Sequence, residues 1–267
     1  MTLNKSDLLN AILNELHSIV IAFSGGVDST FLLYRAHSLK NVNVIGVTIR
    51  TPYIPSFEIK EAIEISRKYG FNHHIIDLIV PDQILNNPSD RCYVCKKILF
   101  NTLIDFAAKN GYKHVVDGSN ADDLSDFRPG LTALKELSIP SPLLEAGLTK
   151  NEIRELARRE GLPIWDKPAM ACLLTRIPYE TSVSETILQS VEKAELYLME
   201  KGCPGARVRV HGDLARIECL PGNVSRIVQS PERKQIIDYF KKLGFRYVSL
   251  DLEGYRTGSF NPEQKEI

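Results

Sequence analysis

The chain has 267 residues, of which 43% are hydrophobic and 25% charged, and its 33 basic side chains balance 33 acidic ones to a formal net charge of 0. This composition is typical of a soluble globular protein and excludes a disordered chain, while the neutral balance argues against wholesale nucleic-acid binding. No apolar run approaches the ~20 residues of a membrane helix, and five cysteines are too few for a disulfide scaffold. We therefore expect a cytoplasmic protein with reduced thiols.

The first half of the chain alternates apolar runs with helical segments. Strands are predicted at residues 17–23, 42–49, 72–78 and 113–117, and helices at residues 28–39, 56–69 and about 96–110. Ser56 is predicted to cap the second of these helices and Gly70 to end it. Because strands that are joined by helices pair in parallel, the pattern predicts an α/β fold with a doubly wound parallel sheet.

The second half opens with a capping box, in which Thr149 and Glu152 start a helix that stops at Gly161. Residues 165–178 have no clear period, which is typical of a functional loop. Beyond them, helices are predicted at residues 184–200 and 223–243, and strands at residues 207–211, 215–220 and 247–250. We therefore predict two domains, residues 1–180 and a smaller α+β domain at residues 181–267 with its own antiparallel sheet.

The segment between the first strand and the first helix reads Ser24-Gly25-Gly26-Val27-Asp28-Ser29. Two glycines let the backbone turn tightly, and the unpaired N–H groups of a helix start attract an anion. Ser24 and Ser29 add hydroxyl donors, and Asp28 would need Mg²⁺ or a donor network beside phosphates. No lysine follows the second glycine, so this is not a Walker A loop. We predict a phosphate site, with an ordinary glycine-containing turn as the alternative interpretation.

This string resembles the PP-loop of the ATP pyrophosphatase superfamily, whose members split ATP between the α and β phosphates and adenylate a carbonyl or carboxylate oxygen. The resemblance implies that the nucleotide binds at the carboxyl ends of the strands, beside Thr48 and the turn that begins at Gly118. In that turn, Asn120 is a candidate nucleotide contact, and Asp122 and Asp123 are candidate Mg²⁺ or ribose partners. A solvated acidic turn is the alternative interpretation of either aspartate.

Three of the five cysteines lie in segments that suggest chemistry. Cys92 and Cys95 form a C-x-x-C pair just before a predicted helix, where a thiolate is stabilised, and Cys172 lies in the aperiodic loop. Cys203 and Cys219 have no partner motif and are interpreted as small buried side chains. One C-x-x-C is too little for a zinc finger. A thioredoxin-type redox pair is a second interpretation, although its usual surroundings are missing. A third is a [4Fe-4S] cluster on the three thiolates, which would leave one iron open to a hydrosulfide.

Several separate strings together resemble the LarE family of ATP-dependent sulfur insertases, which help to make the nickel-pincer nucleotide cofactor of lactate racemase. The strings are Arg91-Cys92-Tyr93-x-Cys95-Lys96, the turn from Asp117 to Asp123, Asp126-x-Arg128-Pro129-Gly130, the loop from Ala171 to Tyr179, and Leu252-Glu253-Gly254-Tyr255-Arg256. The resemblance implies ATP and Mg²⁺ as cofactors and a homo-oligomeric enzyme. It also implies that a carboxylate of pyridinium-3,5-biscarboxylic acid mononucleotide is adenylated and converted to a thiocarboxylate.

Two kinds of enzyme occur in that family. One sacrifices the sulfur of a single loop cysteine and leaves dehydroalanine, and the other carries three cysteines and an iron–sulfur cluster. Cys172 occupies the loop position, and the sacrificial kind does not need the pair Cys92 and Cys95. We therefore favour a [4Fe-4S] cluster on these three thiolates, supplied by sulfide or another sulfur donor, over sacrifice of Cys172. Lys96 and Arg176, which lie beside the cysteines in sequence, are predicted to steady the adenylated carboxylate.

The implied substrate carries a phosphate and two carboxylates, so basic side chains should converge on it. Arg207 and Arg209 share one face of a predicted strand, as Arg216 and Glu218 do on the next. Spacing alone allows a solvated face as readily, whereas the resemblance assigns the first two arginines to the substrate-phosphate site. Glu195 and Glu218 also match polar positions of that site, although helix-surface charge is the simpler interpretation of Glu195.

Three other functions stay open from the sequence. A tRNA thiolase pairs the same loop with three cysteines, but it needs a basic RNA surface, against which the zero net charge counts. An amide-forming synthetase would leave the cysteines unexplained. A nucleotide-sensing module that binds ATP without turnover would leave the Cys172 loop unexplained. The predicted partner is thus a small nucleotide, not a nucleic acid or a membrane.

Overall fold

The computed structural model describes residues 4–125, 129–168, 170–229 and 231–255. Their contacts divide the chain into two units, the first within Met1–Pro81 and Asp90–Met170 and the second within Asp82–Ser89 and Ala171–Ile267. The assignment of residues 1–180 and 181–267 to two domains stays a prediction. None of the helices in these described ranges is long and apolar enough to cross a membrane.

The first unit alternates helices with strands, as the apolar runs predict. Its elements are α1 (Lys5–Leu16), β1 (Ser18–Ala22), α2 (Val27–Ser38), β2 (Asn43–Arg50), α3 (Ser56–Tyr69), β3 (His73–Asp77), α4 (Arg91–Lys109), β4 (His114–Val116), α5 (Pro129–Glu136), α6 (Pro142–Glu145) and α7 (Lys150–Arg159). All four predicted strands are present within two residues of their predicted ends. Helices α1, α5 and α6 were not predicted.

The four strands form one parallel sheet in the order β3-β2-β1-β4. Alternate residues of β1 point to opposite faces. Ile19 joins a core with residues of α1, α2 and α7, and Val20 joins a second core with Phe100 and Leu103 of α4. The sheet is therefore covered by helices on both faces, and the predicted doubly wound α/β fold is confirmed.

The order of the strands reverses at β1, because the chain runs outward through β2 and β3 and then returns to the other side of β1 as β4. Ligands of such sheets bind where the order reverses, in the crevice outside the carboxyl ends of the strands. The loop after β1 and the turn after β4 meet there. A Cβ atom added to Gly118 would lie 3.2 Å from the backbone nitrogen of Ser29, so the two segments are in close contact.

The second unit contains α8 (Glu185–Glu200), β5 (Arg207–His211), β6 (Leu214–Glu218), α9 (Val224–Val228), α10 (Glu232–Lys242) and β7 (Tyr247–Leu250). A short 3₁₀ turn, Leu173–Arg176, precedes α8. The sheet order is β5-β6-β7, with β5 antiparallel and β7 parallel to β6. The predicted antiparallel sheet is thus wrong for β7, because α9 and α10 form a crossover that returns the chain in the same direction.

Two helix boundaries differ from the prediction for identifiable reasons. The single helix predicted at residues 223–243 is wrong, because α9 ends at Val228 and α10 begins at Glu232, after Pro231. Proline lacks the backbone N–H that a continuous helix requires and clashes with the preceding turn. The predicted cap of α3 is also displaced, since Pro55 is its N-cap and Ser56 its first residue, whereas Gly70 ends the helix as predicted with a φ of 68°.

Candidate active site

The loop after β1 has the geometry of an anion site. Gly25 has a φ of 71°, and Gly26, at the N-cap of α2, has no side chain to occupy the N–H groups of the first turn. The hydroxyls of Ser24 and Ser29 lie 3.1 Å apart, and the Gly26 N–H donates to Ser24 Oγ over 3.3 Å. These donors at a helix start suit a group of phosphate oxygens.

Asp28 is the acidic group of this loop. One of its oxygens, Oδ2, accepts from Lys150 Nζ, while the other is buried and has no hydrogen-bond partner within the described ranges. Burial raises the pKa of Asp28, and the charge of Asp123 adds to the increase, although Lys150 opposes it. A buried, half-satisfied carboxylate beside a phosphate loop is a natural place for a cation.

The turn after β4 is rigidly built. Asp117 is buried and accepts from the hydroxyls of Ser119 and Ser141, each over 2.6 Å. Asn120 donates its backbone N–H to Asp123 Oδ2, and Asp122 Oδ2 accepts the backbone N–H of Lys150 at the start of α7. The structure therefore brings Gly118, Asn120, Asp122 and Asp123 to the same edge of the sheet as the phosphate loop, as the topology predicts.

Two lysines at this edge were not identified from the sequence. Lys150 pairs with Asp28, and Lys167 donates to the carbonyl oxygen of Gly25 over 3.2 Å while it pairs with Glu61 at 2.6 Å. The capping residue Thr149 fixes where Lys150 begins α7, but no spacing in the sequence connects either lysine to the loop. The tertiary fold alone therefore brings the two lysines to the loop.

Thr48, predicted to lie beside the nucleotide, is part of β2. Its side chain is buried, donates to the carbonyl oxygen of Phe23 over 2.6 Å and lies 2.8 Å from Nε2 of His73. Burial lowers the pKa of His73, so its imidazole stays neutral at physiological pH. The hydroxyl of Thr48 therefore helps to hold Phe23, the residue that precedes Ser24.

The C-x-x-C pair lies within α4 and not just before a helix, as the sequence suggested. Cys92 is exposed and Cys95 is half-buried, with Sγ 3.3 Å from the hydroxyl of Tyr53. Residues three apart on a helix share a face, so the two thiols are neighbours on the first turns of α4. Lys96 Nζ lies 3.6 Å from the Asp117 carboxylate, which directs it to the turn after β4.

In the second unit, Cys172 is half-buried and immediately precedes the 3₁₀ turn. Arg176, at the end of that turn, is 1% exposed and forms a bidentate pair with Glu195 of α8, at 2.8 and 3.0 Å. Burial lowers the pKa of Arg176, but the Glu195 carboxylate outweighs it and the pKa is raised on balance. Arg176 is thus a buried cation with a fixed partner, and Glu195 is not the helix-surface charge that seemed the simpler interpretation.

The arginines of β5 are buried, so the interpretation of a solvated face is wrong. Arg207 lies opposite Glu218 and Arg209 opposite Arg216 in the β5–β6 register, which places these four side chains on one face. Glu218 is completely buried and accepts from Arg209 over 3.0 Å and from Arg216 over 3.0 Å. Buried charges of this kind persist only when they are paired.

Arg207 is 6% exposed, and its guanidinium lies over the ring of Tyr255 at 5.4 Å. Burial lowers the pKa of Arg207, and the positive charges of Arg176 and Arg209 lower it further. An anionic ligand would stabilise the charged form of Arg207, because its charge would offset the cost of burial and the repulsion from the two neighbouring arginines. Tyr255 belongs to one of the strings noted in the sequence, but that string alone did not indicate a contact with Arg207.

A metal centre is not evident from the side chains. Within the described ranges, no group of three or more His, Cys, Asp or Glu side chains is arranged to hold a metal ion. Asp126, Arg128 and Arg256, which belong to the strings noted in the sequence, lie outside the described residues.

Comparison with known proteins gives relatives of nearly full length. No protein-family model matches the chain. It is 39% identical over 263 residues to an uncharacterised protein of Synechocystis, with 97% of each chain covered. It is 37% identical over 260 residues to pyridinium-3,5-bisthiocarboxylic acid mononucleotide synthase of Lactiplantibacillus plantarum, with 96% of this chain and 94% of that protein covered. A more distant relative is the tRNA-specific 2-thiouridylase MnmA of Rickettsia africae, 28% identical over 192 residues, with 57% of this chain and 52% of that protein covered.

Proposed function

Because the chain belongs to the LarE family of pyridinium-3,5-bisthiocarboxylic acid mononucleotide synthases, we propose that it is an ATP-dependent sulfur transferase acting on a pyridinium mononucleotide. In the first step, a carboxylate oxygen of pyridinium-3,5-biscarboxylic acid mononucleotide attacks the α-phosphorus of ATP, and pyrophosphate leaves. In the second step, a sulfur nucleophile attacks the activated carbonyl carbon, and AMP leaves with the electron pair of the broken C–O bond. With hydrosulfide as the nucleophile, loss of its proton gives the thiocarboxylate directly. With the Cys172 thiolate, the product is a thioester, and the thiocarboxylate leaves when the Cα proton is removed and the Cβ–S bond breaks, which leaves dehydroalanine.

The observation that carries the first step is the loop at the reversal of strand order. Its glycines, hydroxyls and the first turn of α2 offer donors to the leaving pyrophosphate. Lys150 and Lys167, which contact the loop's own Asp28 and Gly25, add positive charge at that place. Charge that develops on the leaving group is stabilised by donors that are already in position.

The unpartnered oxygen of Asp28 fits a Mg²⁺ ion bound with ATP. Mg²⁺ prefers carboxylate oxygens together with substrate phosphates and keeps several waters, so one or two protein ligands suffice. Asp28 would hold the ion, with Asp122 or Asp123 beside it. When bound, Mg²⁺ would supply charge neutralisation for the phosphates.

We propose Arg207 as the principal contact for the phosphate of the pyridinium substrate. The positive charges of Arg176 and Arg209 favour an anion beside Arg207. The guanidinium of Arg207 also lies over the ring of Tyr255, which helps to fix its position. Arg209 contributes positive charge to the same site. Glu195 and Glu218 hold arginines in place, and we assign them to that task rather than to direct contact with the substrate.

For the sulfur step, we keep the three thiols Cys92, Cys95 and Cys172 as proposed ligands of a [4Fe-4S] cluster, with sacrifice of Cys172 as the alternative. The shared helix face of Cys92 and Cys95 favours a pair of ligands. Within the described ranges, no group of three or more His, Cys, Asp or Glu side chains is arranged to hold a metal ion. Sulfide or another sulfur donor and a homo-oligomeric assembly belong to the same proposal.

The test of the adenylation step is pyrophosphate release with ATP and Mg²⁺, measured with and without the pyridinium dicarboxylate mononucleotide. We expect release that depends on the mononucleotide. Equal release in its absence would contradict the assignment, and no release under either condition would favour a module that binds ATP without turnover.

A tRNA thiolase is the second candidate, because the relative MnmA is named for that activity. Addition of unmodified tRNA to the same assay separates the two. The proposed function predicts that tRNA neither replaces the mononucleotide nor competes with it, since the chain carries no net positive charge.

Mass spectrometry of the chain after turnover decides how sulfur is delivered. A loss of one H₂S at Cys172 would mean sacrifice, and an unchanged chain after several turnovers would mean delivery from an external donor.

A further inference from the structure

The side chain of Arg176 is bound on every side by the protein. Nε and Nη2 donate to the two carboxylate oxygens of Glu195, and Nη1 donates to the carbonyl oxygens of Ala171 and Cys172, at 3.0 and 3.2 Å, and to Thr175 Oγ1 at 2.6 Å. The side chain is also 1% exposed. Nε, Nη1 and Nη2 of this buried guanidinium all donate to acceptors of the protein itself, so its position is fixed by the chain rather than by a ligand.

A second buried arginine reaches the same turn. Arg209 pairs with Glu218 through Nε and Nη2, and its Nη1 donates to the carbonyl oxygen of Thr175 over 2.6 Å. Both arginines therefore bind a carboxylate with one edge of the guanidinium. With the other edge they bind main-chain carbonyl oxygens of residues 171–175, at the 3₁₀ turn Leu173–Arg176 that Cys172 precedes, which we call the Cys172 turn. Glu195 in addition accepts the backbone N–H of Val208 over 2.9 Å, which connects the first pair to β5.

The Cys172 turn is a single short 3₁₀ turn whose two ends are closed by main-chain hydrogen bonds. The N–H of Thr175 donates to the carbonyl oxygen of Cys172, and the N–H of Ile177 donates to that of Leu174. A single 3₁₀ turn has poor hydrogen-bond geometry and is weak by itself. The fixed forks of the two arginines, oriented by Glu195 and by the buried Glu218, add rigidity to the turn.

We propose that Arg176, together with its partner Glu195, is a positioning residue that fixes the main chain of Cys172 so that its thiol keeps one orientation for the sulfur step. Arg209 and Glu218 brace the other end of the same turn. The geometry is independent of how sulfur is delivered. The expected effect on rate rests on the proposed function, because it requires Cys172 to take part in sulfur transfer.

The test uses the full-length chain with Arg176→Met and Glu195→Gln together, because removing one partner alone would leave a buried charge without its counter-ion. Glutamine keeps an oxygen for the Val208 N–H. Arg158→Met with Glu155→Gln, an exposed pair on α7, is the matched control. Hydrogen exchange of residues 173–177 is measured on the isolated protein, and kcat and KM of sulfur transfer are measured on the same samples.

We expect the turn amides to exchange at least tenfold faster in the Arg176/Glu195 variant, with exchange in β1 and β6 unchanged. We also expect kcat to fall at least tenfold while KM for the pyridinium substrate changes less than threefold. The control pair should alter neither. Unchanged exchange of the turn overturns the proposal, and so does a raised KM with unchanged kcat, which would mean that Arg176 contacts the substrate.

Should the double variant fail to fold, Arg176→Lys keeps the positive charge but loses the fork, and we expect a smaller acceleration of turn exchange in it. Unchanged exchange in that folded variant overturns the proposal equally. If the wild-type protein transfers no sulfur, the proposed function fails. The exchange measurement still decides whether Arg176 and Glu195 hold the Cys172 turn in place.

Discussion

Asp28, in the loop after β1, is a carboxyl group whose burial lowers the stability of the folded protein and whose proposed role is to bind Mg²⁺. Its pKa is raised mainly by burial, so the folded protein binds this proton more tightly than the unfolded chain does. Stability therefore falls as pH rises from the ordinary aspartate range through the raised pKa, and the cost is fully present at neutral pH. The carboxylate is retained at that cost because, in the proposed reaction, it holds Mg²⁺.

Asp28→Asn removes this cost. We expect a higher urea midpoint than wild type at pH 7.5, an advantage that shrinks as the pH is lowered toward 4.5, and loss of pyrophosphate release. Asp105→Asn, at an exposed position of α4, serves as the control and should change neither the midpoint nor the activity. A lower midpoint for Asp28→Asn at pH 7.5 would show that the Lys150 pair outweighs the burial.

Gly25 combines a positive φ with a close approach, and the two effects are separable by substitution. A Cβ there would meet the Cβ of Ala62 at 3.0 Å, whereas Gly70 has a similar φ and open space around it. We expect Gly70→Ala to cost about 1 kcal/mol of unfolding free energy, as left-handed alanine does, and to leave ATP binding unchanged.

Gly25→Ala should cost more and weaken ATP binding at least tenfold, because the loop must move away from Ala62. Urea denaturation and calorimetric ATP titration check both values. Equal ATP affinity in the two alanine variants would refute the assignment of this loop.

The residue types of the second unit were identified from the sequence, but their burial was not. Arg207 and Arg209 look like a solvated face because their carboxylate neighbours are distant in sequence, with Glu218 on β6 and Glu195 on α8. Only pairing of β5 with β6 brings Glu218 beside Arg209. Charge patterning within one element therefore gives no information on whether a charged side chain will be buried.

At the scale of elements, α7 is the clearest case in which local sequence determines structure. Thr149 accepts from the Glu152 N–H, and the Glu152 carboxylate accepts from the Thr149 N–H, which is the capping box that the sequence predicts. This helix also carries Lys150 to Asp28. We expect Thr149→Ala to lower the unfolding free energy by about 1 kcal/mol and Thr149→Ser to lower it by much less. Equal urea midpoints for the two variants would contradict a role for the cap.

The first turns of α4 carry the pair Cys92 and Cys95. If the cluster proposal is right, protein reconstituted anaerobically with iron and sulfide shows iron–sulfur absorption, and Cys92→Ala, Cys95→Ala and Cys172→Ala each abolish it. Cys203→Ala, at a buried position outside the proposed ligand set, should keep the absorption. Full absorption with any of the three removed would exclude that residue as a ligand and favour sacrifice of Cys172.

Most elements that follow a clear period were predicted, although α1 was missed despite the helical spacing of Leu9 and Leu13, and elements that depend on context were not. Strands β1 and β2 are apolar runs in the middle of the sheet, where both faces are buried, so their pattern alone is informative. Helix α5 and helix α6 are too short to show a period. The parallel pairing of β7 depends on where the α9–α10 crossover returns the chain, which strand patterns do not encode.

For the whole molecule, the fold and the family follow from separate strings that the sequence displays. The glycine loop, the turn after β4 and the C-x-x-C pair are far apart in the chain, yet relatives of nearly full length share the sequence at 37–39% identity. The contacts of Lys150 and Lys167 with the phosphate loop, and of Arg176 with Glu195, could not be predicted from such strings. They form between segments that are distant in the sequence. Sequence reasoning thus identified the family, and the structure added contacts that the sequence does not display.

The most direct measurement of the proposed reaction is its stoichiometry. Purified enzyme with ATP, Mg²⁺, a sulfide source and pyridinium-3,5-biscarboxylic acid mononucleotide is sampled by mass spectrometry for the mononucleotide, AMP and ADP. We predict that each thiocarboxylate formed is accompanied by one AMP and one pyrophosphate, with no ADP. Formation of ADP and phosphate, or AMP release without any sulfur in the mononucleotide, would contradict it.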